Sequence, residues 1–235
     1  MTQRTISIAF RFAALLLAAC AAGAHAADGV LPYEVRLGAL FVRNEGAKAN
    51  DLSGPFTPPG INLRVGDVTT TYLSGLLHID ENWSLELTGG VPPTVKSYGK
   101  GPAKAGSLPF DGQELGSAKW FAPTLFLDYS FLDSRSPVRP FVGLGVNHTR
   151  FYDVKSTAAG DAVNGGPTRT SLSSTWGPAG SLGASWHITR EIDVVASFTV
   201  ARVNSHFRSD TAGVIRTTTV HFNPRAFAVS AGYSF

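Results

Sequence analysis

The sequence predicts an all-β protein: an eight-stranded antiparallel transmembrane β-barrel with short periplasmic turns and longer extracellular loops. Three observations carry that prediction. The chain ends on a strand that places Phe227, Val229, Ala231, Tyr233 and Phe235 on one face and Ala226, Ala228, Ser230, Gly232 and Ser234 on the other. Segments of about ten residues with the same alternation recur along the chain. The connections between them are short and long in turn. A terminal aromatic on so apolar a strand suits a lipid-facing wall better than water, where chain ends usually fray. Only 16% of the residues are charged, which is low for a surface bathed entirely in water.

Residues 1–26 read as a secretory signal. Arg4 and Arg11 supply the positive start, Phe12 to Ala19 the apolar core, and Ala24-His25-Ala26 the small-residue cleavage site. The apolar run is too short for a membrane-spanning helix. Residues 27–235 then form the barrel. Leu17-Ala18-Ala19-Cys20 also fits the short motif for cleavage and acylation on cysteine, so lipidation of Cys20 is the alternative N-terminus. Without the two leader arginines, the 20 basic and 17 acidic residues leave a balance of +1, with no basic patch for nucleic acid. Cys20 is the single cysteine, which excludes a disulfide framework.

The first strand is expected over Tyr33 to Arg43, with Tyr33, Val35, Leu37, Ala39 and Phe41 opposite Glu34, Arg36 and Gly38. A Gly/Pro/Asn-rich loop, Asn44 to Gly66, leads to the second, Asp67 to Ile79, which ends in the tight Asp80-Glu81-Asn82. Trp83 to Val91 alternates as the third, and Pro92 to Ser117 reads as loop. The fourth, Trp120 to Phe131, turns at Asp133–Pro137 into the fifth, Arg139 to Phe151. Loop Asp153–Thr175 precedes the sixth, Trp176 to Ile188, and Thr189-Arg190-Glu191 turns into the seventh, Ile192 to Val203. A loop over Ser205–Arg216 reaches the closing strand. Pro123 and Pro178 fall inside strands, where each removes a ladder hydrogen bond, and are expected near the loop ends.

Parity assigns the lumen. Glu34, Arg36, Glu86, Asp128, Arg139 and Asp193 point inward in the periplasmic half, with His78 and His187 at the same level. Eight strands leave room for little beyond side chains, and buried opposite charges pair because an unpaired one is costly. These six residues are therefore expected to form a salt-bridged floor; charges that simply fill the lumen are the equal alternative. The extracellular half is expected to be lined by Thr88, Thr124, Asn147, Thr199, Trp120 and Trp176. That lining holds more threonine and serine than an apolar tunnel would. A solute entering from outside meets the closed floor and leaves sideways into lipid. Phe227, Val229, Tyr233 and Phe235 are the expected membrane anchors.

The stretches Glu86-Leu-Thr-Gly-Gly-Val-Pro92, Ala122-Pro-Thr-Leu125, Arg139-Pro-Phe-Val-Gly-Leu-Gly-Val-Asn147, Trp176-Gly-Pro-Ala-Gly-Ser-Leu-Gly183 and Ala231-Gly-Tyr-Ser-Phe235 together resemble the outer membrane protein W family. The similarity runs in order over essentially the whole mature chain. It implies an eight-stranded barrel in the bacterial outer membrane. It also implies a passive route for small, largely hydrophobic molecules, and a terminal Phe235 read by the outer-membrane assembly machinery. The expected partners are outer-membrane lipid, small hydrophobic solutes and that machinery.

Two other classes stay open. A structural, adhesive or stress-related barrel would carry no solute, although the polar, Gly-rich loops lack the long β-ribbons of an adhesive protrusion. A lipid-modifying enzyme would draw on His148, His206 and His221 with Ser173, Ser174 and Asp153, but no nucleophile motif or spacing joins them. Gly143-Leu-Gly145 lacks the third glycine of a nucleotide site, and the histidines show no metal-ligand spacing. No catalytic residue, cofactor or metal is expected.

Overall fold

The computed structural model describes residues 31–235 except 45, 46, 50, 58, 59, 103, 106 and 107. The expected leader over residues 1–26, its cleavage site and Cys20 lie outside the described residues.

Eight strands close the barrel: β1 (Tyr33–Arg43), β2 (Val68–His78), β3 (Trp83–Gly90), β4 (Thr124–Ser130), β5 (Val138–Ser156), β6 (Thr175–His187), β7 (Ile192–Ala201) and β8 (Arg225–Ser234). Each pairs antiparallel with its sequence neighbours, and β1 closes on β8 from Glu34↔Ser234 to Arg43↔Arg225. Tyr33 and Phe235 complete the seam with backbone bonds of 3.2 and 2.9 Å. Closure leaves no barrel edge unpaired, as a wall facing lipid requires.

The outward face is apolar. Leu37, Leu144, Leu182 and Trp186 are each more than half exposed, which a water-facing surface would not tolerate in such a continuous band. Trp83, Tyr129 and Phe131 pack edge to face at 5.0 and 5.1 Å near the short turns. Tyr33, Tyr233 and Phe235 group at the same end of the closing seam. From Phe227 to Phe235 the strand rises about 27 Å. A tilt of roughly 40° brings that to about 20 Å along the membrane normal, close to the ~25 Å apolar band of such barrels.

The stretches expected as loops carry structure of their own, which corrects that part of the sequence reading. Beyond the barrel, the distal half of β5 pairs with Glu114–Phe121, which pairs with Thr94–Lys100, which pairs with Asn62–Val65. A second sheet joins Thr168–Leu172, Asn204–Thr211, Val214–His221 and Lys48–Ala49. Helix α1 (Ala158–Asn164) is capped by the Thr157 hydroxyl, which accepts from the Gly160 N–H at 3.0 Å. The Asn204–His221 ribbon turns at Ala212-Gly213, both with positive φ (49° and 88°), the two-residue geometry that matches strand twist. Long β-ribbons are thus present where none was expected.

The fourth strand is also shorter than expected. Trp120 and Phe121 belong to the extracellular sheet, and the barrel strand begins at Thr124. Pro123 has no N–H to continue the ladder, and its carbonyl instead accepts from His148 N–H at 3.0 Å. Pro178 sits inside β6 near its loop end, opposite Val146.

Candidate functional site

Three layers fill the barrel from the short-turn end to the extracellular mouth. The first is charged. Glu34, Arg36, Glu86, Asp128, Arg139 and Asp193 are all inward and buried. Arg36 pairs with Glu34 through Nε and, at 3.2 Å, through Nη2, while its Nη1 lies 3.5 Å from Glu86 Oε1. His78 Nε2 stands 3.2 Å from Glu34 Oε2, and Tyr72 donates its hydroxyl to Glu86 at 2.8 Å. Two carboxylates therefore share one guanidinium, with His78 and Tyr72 completing their coordination.

The remaining members of the group do not join this network through ion pairs. Arg139 donates to the carbonyl of Glu81 at 2.6 Å and of Leu132 at 3.3 Å, so it ties two short turns together instead of answering a carboxylate. It sits at the second position of β5, where those turn carbonyls are nearer than the lumen acids. Asp128 accepts from the Ser181 hydroxyl at 3.3 Å. A cavity of about 670 Å³ opens from this layer toward the short turns, walled by Glu34, Arg36, Asp128, Arg139 and Asp193 themselves together with His187.

The second layer is a plug. Phe126, Val195 and Ala228 are buried inside the barrel beside Tyr72, while buried Phe141 and Leu76 reach down to the wall of the cavity, where the Arg36 guanidinium lies 5.8 Å over the Phe141 ring. Both phenylalanines lie across from a glycine. Phe126 faces Gly145 and Phe141 faces Gly183 in register, and a Cβ on either glycine would stand 2.6 Å from the ring. Asp128 likewise occupies the space of a Gly143 Cβ. The plug follows from parity plus these glycines, although the sequence reading passed over both phenylalanines.

The third layer is the mouth. Thr124 and Asn147 are buried and bonded to each other at 2.8 Å, and Asn147 accepts from Thr149 at 2.7 Å. Thr88 and Thr199 also face inward, half-buried. Trp120 is buried, but above the barrel, in an apolar cluster with Val42, Val65, Val95, Phe151, Val203 and Phe222. Phe151 and Phe222 stack there at 4.9 Å. Trp176 does not line the lumen. It is 70% exposed on the lipid side and stacks on His148 at 4.3 Å. It shares parity with Leu182 and Trp186, so the strand that points them outward points it outward too.

Between the two extracellular sheets the cluster leaves a cleft of about 90 Å³, walled mainly by apolar side chains including Leu63, Val65, Val95, Ala118, Phe151 and Phe222. Of the inward residues at the mouth, Val42 belongs to this cluster and Leu40, Val68 and Ala226 pack against it. The cleft is thus continuous in character with the barrel entrance. The wall beside it is interrupted: β3 stops at Gly90 ahead of Pro92-Pro93, and β4 starts after Pro123.

The histidines and serines weighed as catalytic do not assemble. His206 pairs with Thr219 at 3.2 Å and His221 with Asn204 at 2.8 Å on the ribbon. The Ser173 hydroxyl accepts from the His206 backbone N–H at 2.9 Å, not from its ring, the Ser205 hydroxyl donates to the Ser173 carbonyl at 2.7 Å, and Asp153 engages Lys155 at 2.9 Å. Among the described residues no group of three or more His, Cys, Asp or Glu could hold a metal ion.

A closed antiparallel eight-stranded barrel with an apolar girdle, a plugged lumen and structured extracellular ends defines an outer-membrane β-barrel protein of the bacterial cell. The chain belongs to the OmpW family, whose model matches residues 32–235. Outer membrane protein W of Salmonella typhimurium is 29% identical over 229 residues, covering 96% of this chain and 99% of that protein. The dibenzothiophene metabolism operon protein PahQ of Pseudomonas aeruginosa is 32% identical over 122 residues, 52% of this chain and 54% of that protein. The crystal structure of OprG from Pseudomonas aeruginosa shares the fold, with a TM-score of 0.78 at 21% identity over 89% of this chain and 98% of that one.

Proposed function

We propose that this chain gives small, mainly hydrophobic molecules a passive route across the outer membrane. They enter through the apolar cleft between the extracellular sheets and leave sideways into lipid above the charged floor. The carrying observation is an apolar cleft standing on a plugged barrel. An apolar solute gains about 25 cal/mol per Å² on leaving water for such a cleft, and the ion-paired layer beneath offers it nothing in return. The Pro92-Pro93 and Pro123 interruptions support an exit between β3 and β4, where ladder bonds are already missing. The compound in the name of the relative PahQ, dibenzothiophene, is itself an apolar aromatic and supports this class of solute. On this reading Thr88, Thr124, Asn147 and Thr199 line the mouth. Phe227, Val229, Tyr233 and Phe235 anchor the wall in lipid, and the assembly machinery reads Phe235.

Proteoliposome entry of a small apolar fluorophore and of a charged dye of the same size tests this. The wild-type chain is expected to speed the apolar probe alone. Ala118→Trp, which fills the cleft from a buried position, is expected to abolish that gain while the barrel still folds. Equal entry of both dyes, or unchanged entry in the filled variant, overturns the route. No entry at all favours a structural barrel.

A further inference from the structure

The outer surface of the closing seam carries a row of arginines that the passage does not use. Arg43 on β1 faces Arg225 on β8 directly, and Val200 on β7 faces Arg225 from the other side. The ladder continues past Val200 through Ala201 N to Pro224 O and Phe222 N to Val203 O, which puts Arg202 diagonally beside Arg225. All three arginines are exposed and lie on the lipid-facing parity. Cross-strand and diagonal neighbours have Cβ atoms about 5–7 Å apart. One step toward the membrane, the same three strands carry Phe41, Phe227 and Phe198 in register, exposed by 40, 45 and 38%. Phe41 and Phe227 stack at 6.4 Å.

Like charges set directly opposite destabilise a strand pair, and among the described residues only Arg43 of the three has a carboxylate partner, Asp67 at 2.8 Å. Among the described residues the side chains of Arg202 and Arg225 make no hydrogen bond or ion pair. Guanidinium groups bind phosphate through paired N–H donors, and the row stands at the level of outer-leaflet headgroups, immediately above an aromatic patch that faces acyl chains.

We propose that Arg225 and Arg202, flanked by Arg43, bind a phosphate of the phosphorylated glycolipid of the outer leaflet, whose acyl chains lie against Phe41, Phe227 and Phe198. Charge complementarity supplies the headgroup contact and the aromatic row continues it into the bilayer. The site is lateral and independent of the cleft.

The purified full barrel in detergent is titrated with bisphosphorylated lipid A, with its dephosphorylated form, and with inorganic phosphate, and bound lipid is counted by native mass spectrometry. The double variant Arg202→Gln/Arg225→Gln is expected to bind the bisphosphorylated lipid about tenfold more weakly, as the loss of charge-assisted bonds implies. Binding of the dephosphorylated lipid stays unchanged by the substitutions. Arg190→Gln in a periplasmic turn serves as the charge-matched control and leaves binding intact. Folding is read from the heat-dependent gel mobility of each variant; should the double variant fail to fold, Arg202→Gln, outside the barrel strands, is read for the same loss. Wild-type affinity in the variant, equal binding of both lipids by the wild type, an equal loss in Arg190→Gln, or displacement of lipid by low-millimolar inorganic phosphate each overturns the proposal.

Discussion

Phe126 lies over Gly145: the two are register partners across β4 and β5, and the ring occupies the volume that a Cβ would need, at 2.6 Å from Cδ1. The bare backbone clears both this ring and the still nearer Leu125 carbonyl, which so narrow a barrel requires. Gly145→Val is therefore expected to lower barrel stability by about 1–3 kcal/mol, the usual cost of overpacking. Reversible urea unfolding in detergent micelles measures it, and Leu144→Val on the lipid side of the same strand should change little.

Arg36 holds two buried carboxylates, Glu34 and Glu86. Replacing it with methionine leaves both without their cation, a change that costs about 3–5 kcal/mol for a broken buried pair. The triple variant Arg36→Met/Glu34→Gln/Glu86→Gln removes the charge imbalance along with the pair. It is expected to recover most of the loss in the same unfolding measurement. A single substitution that left stability unchanged would show that the layer contributes filling and not pairing.

Asp67 caps the extracellular end of the first two strands. Its Oδ1 accepts from the Asn44 N–H at 2.8 Å and its Oδ2 from Arg43 at 2.8 Å. The Asn44 amide first, and then Arg43, hold the carboxyl below its usual range. A depressed folded value means the contribution is present above the unfolded pKa of about 4 and is lost as the pH falls through the folded one. Asp67→Asn is thus expected to be slightly less stable than wild type at neutral pH, with the gap closing in acid. The Asn44 amide shift in an NMR titration reads the folded midpoint directly.

Trp120 and Trp176 separate by function. Trp120→Ala removes a buried side chain from the extracellular cluster, a class of change that costs about 3–5 kcal/mol. It is expected to raise hydrogen exchange in both extracellular sheets while the strands of the barrel stay protected. Trp176→Ala touches only the lipid face and its stack with His148. It should leave both exchange and probe entry as in the wild type, and a slower entry in that variant would return Trp176 to the passage.

Much of this molecule was written into local pattern. Alternation at period two is a property of the pleat, so Glu34, Arg36, Glu86 and Asp128 could be turned inward, and Phe227 to Phe235 outward, before any contact was known. Strand β1 runs from Tyr33 to Arg43 as the alternation indicated, and the short turns after His78, Ser130 and His187 follow from their polar, tight connections. The same rule, applied with its parity kept strictly, would have sent Trp176 to the lipid. What alternation cannot say is which strand faces which at what register. That was decided by closure: it set Phe126 on Gly145, gave Arg36 to two acids while sending Arg139 to turn carbonyls, and brought Arg43, Arg225 and Arg202 into one row. It also folded the connections into sheets, because Val65, Val95, Trp120, Phe151 and Phe222 come from separate connections and strands and bury apolar surface only together. Local chemistry determined the wall and its two faces, and long-range pairing decided what the wall encloses.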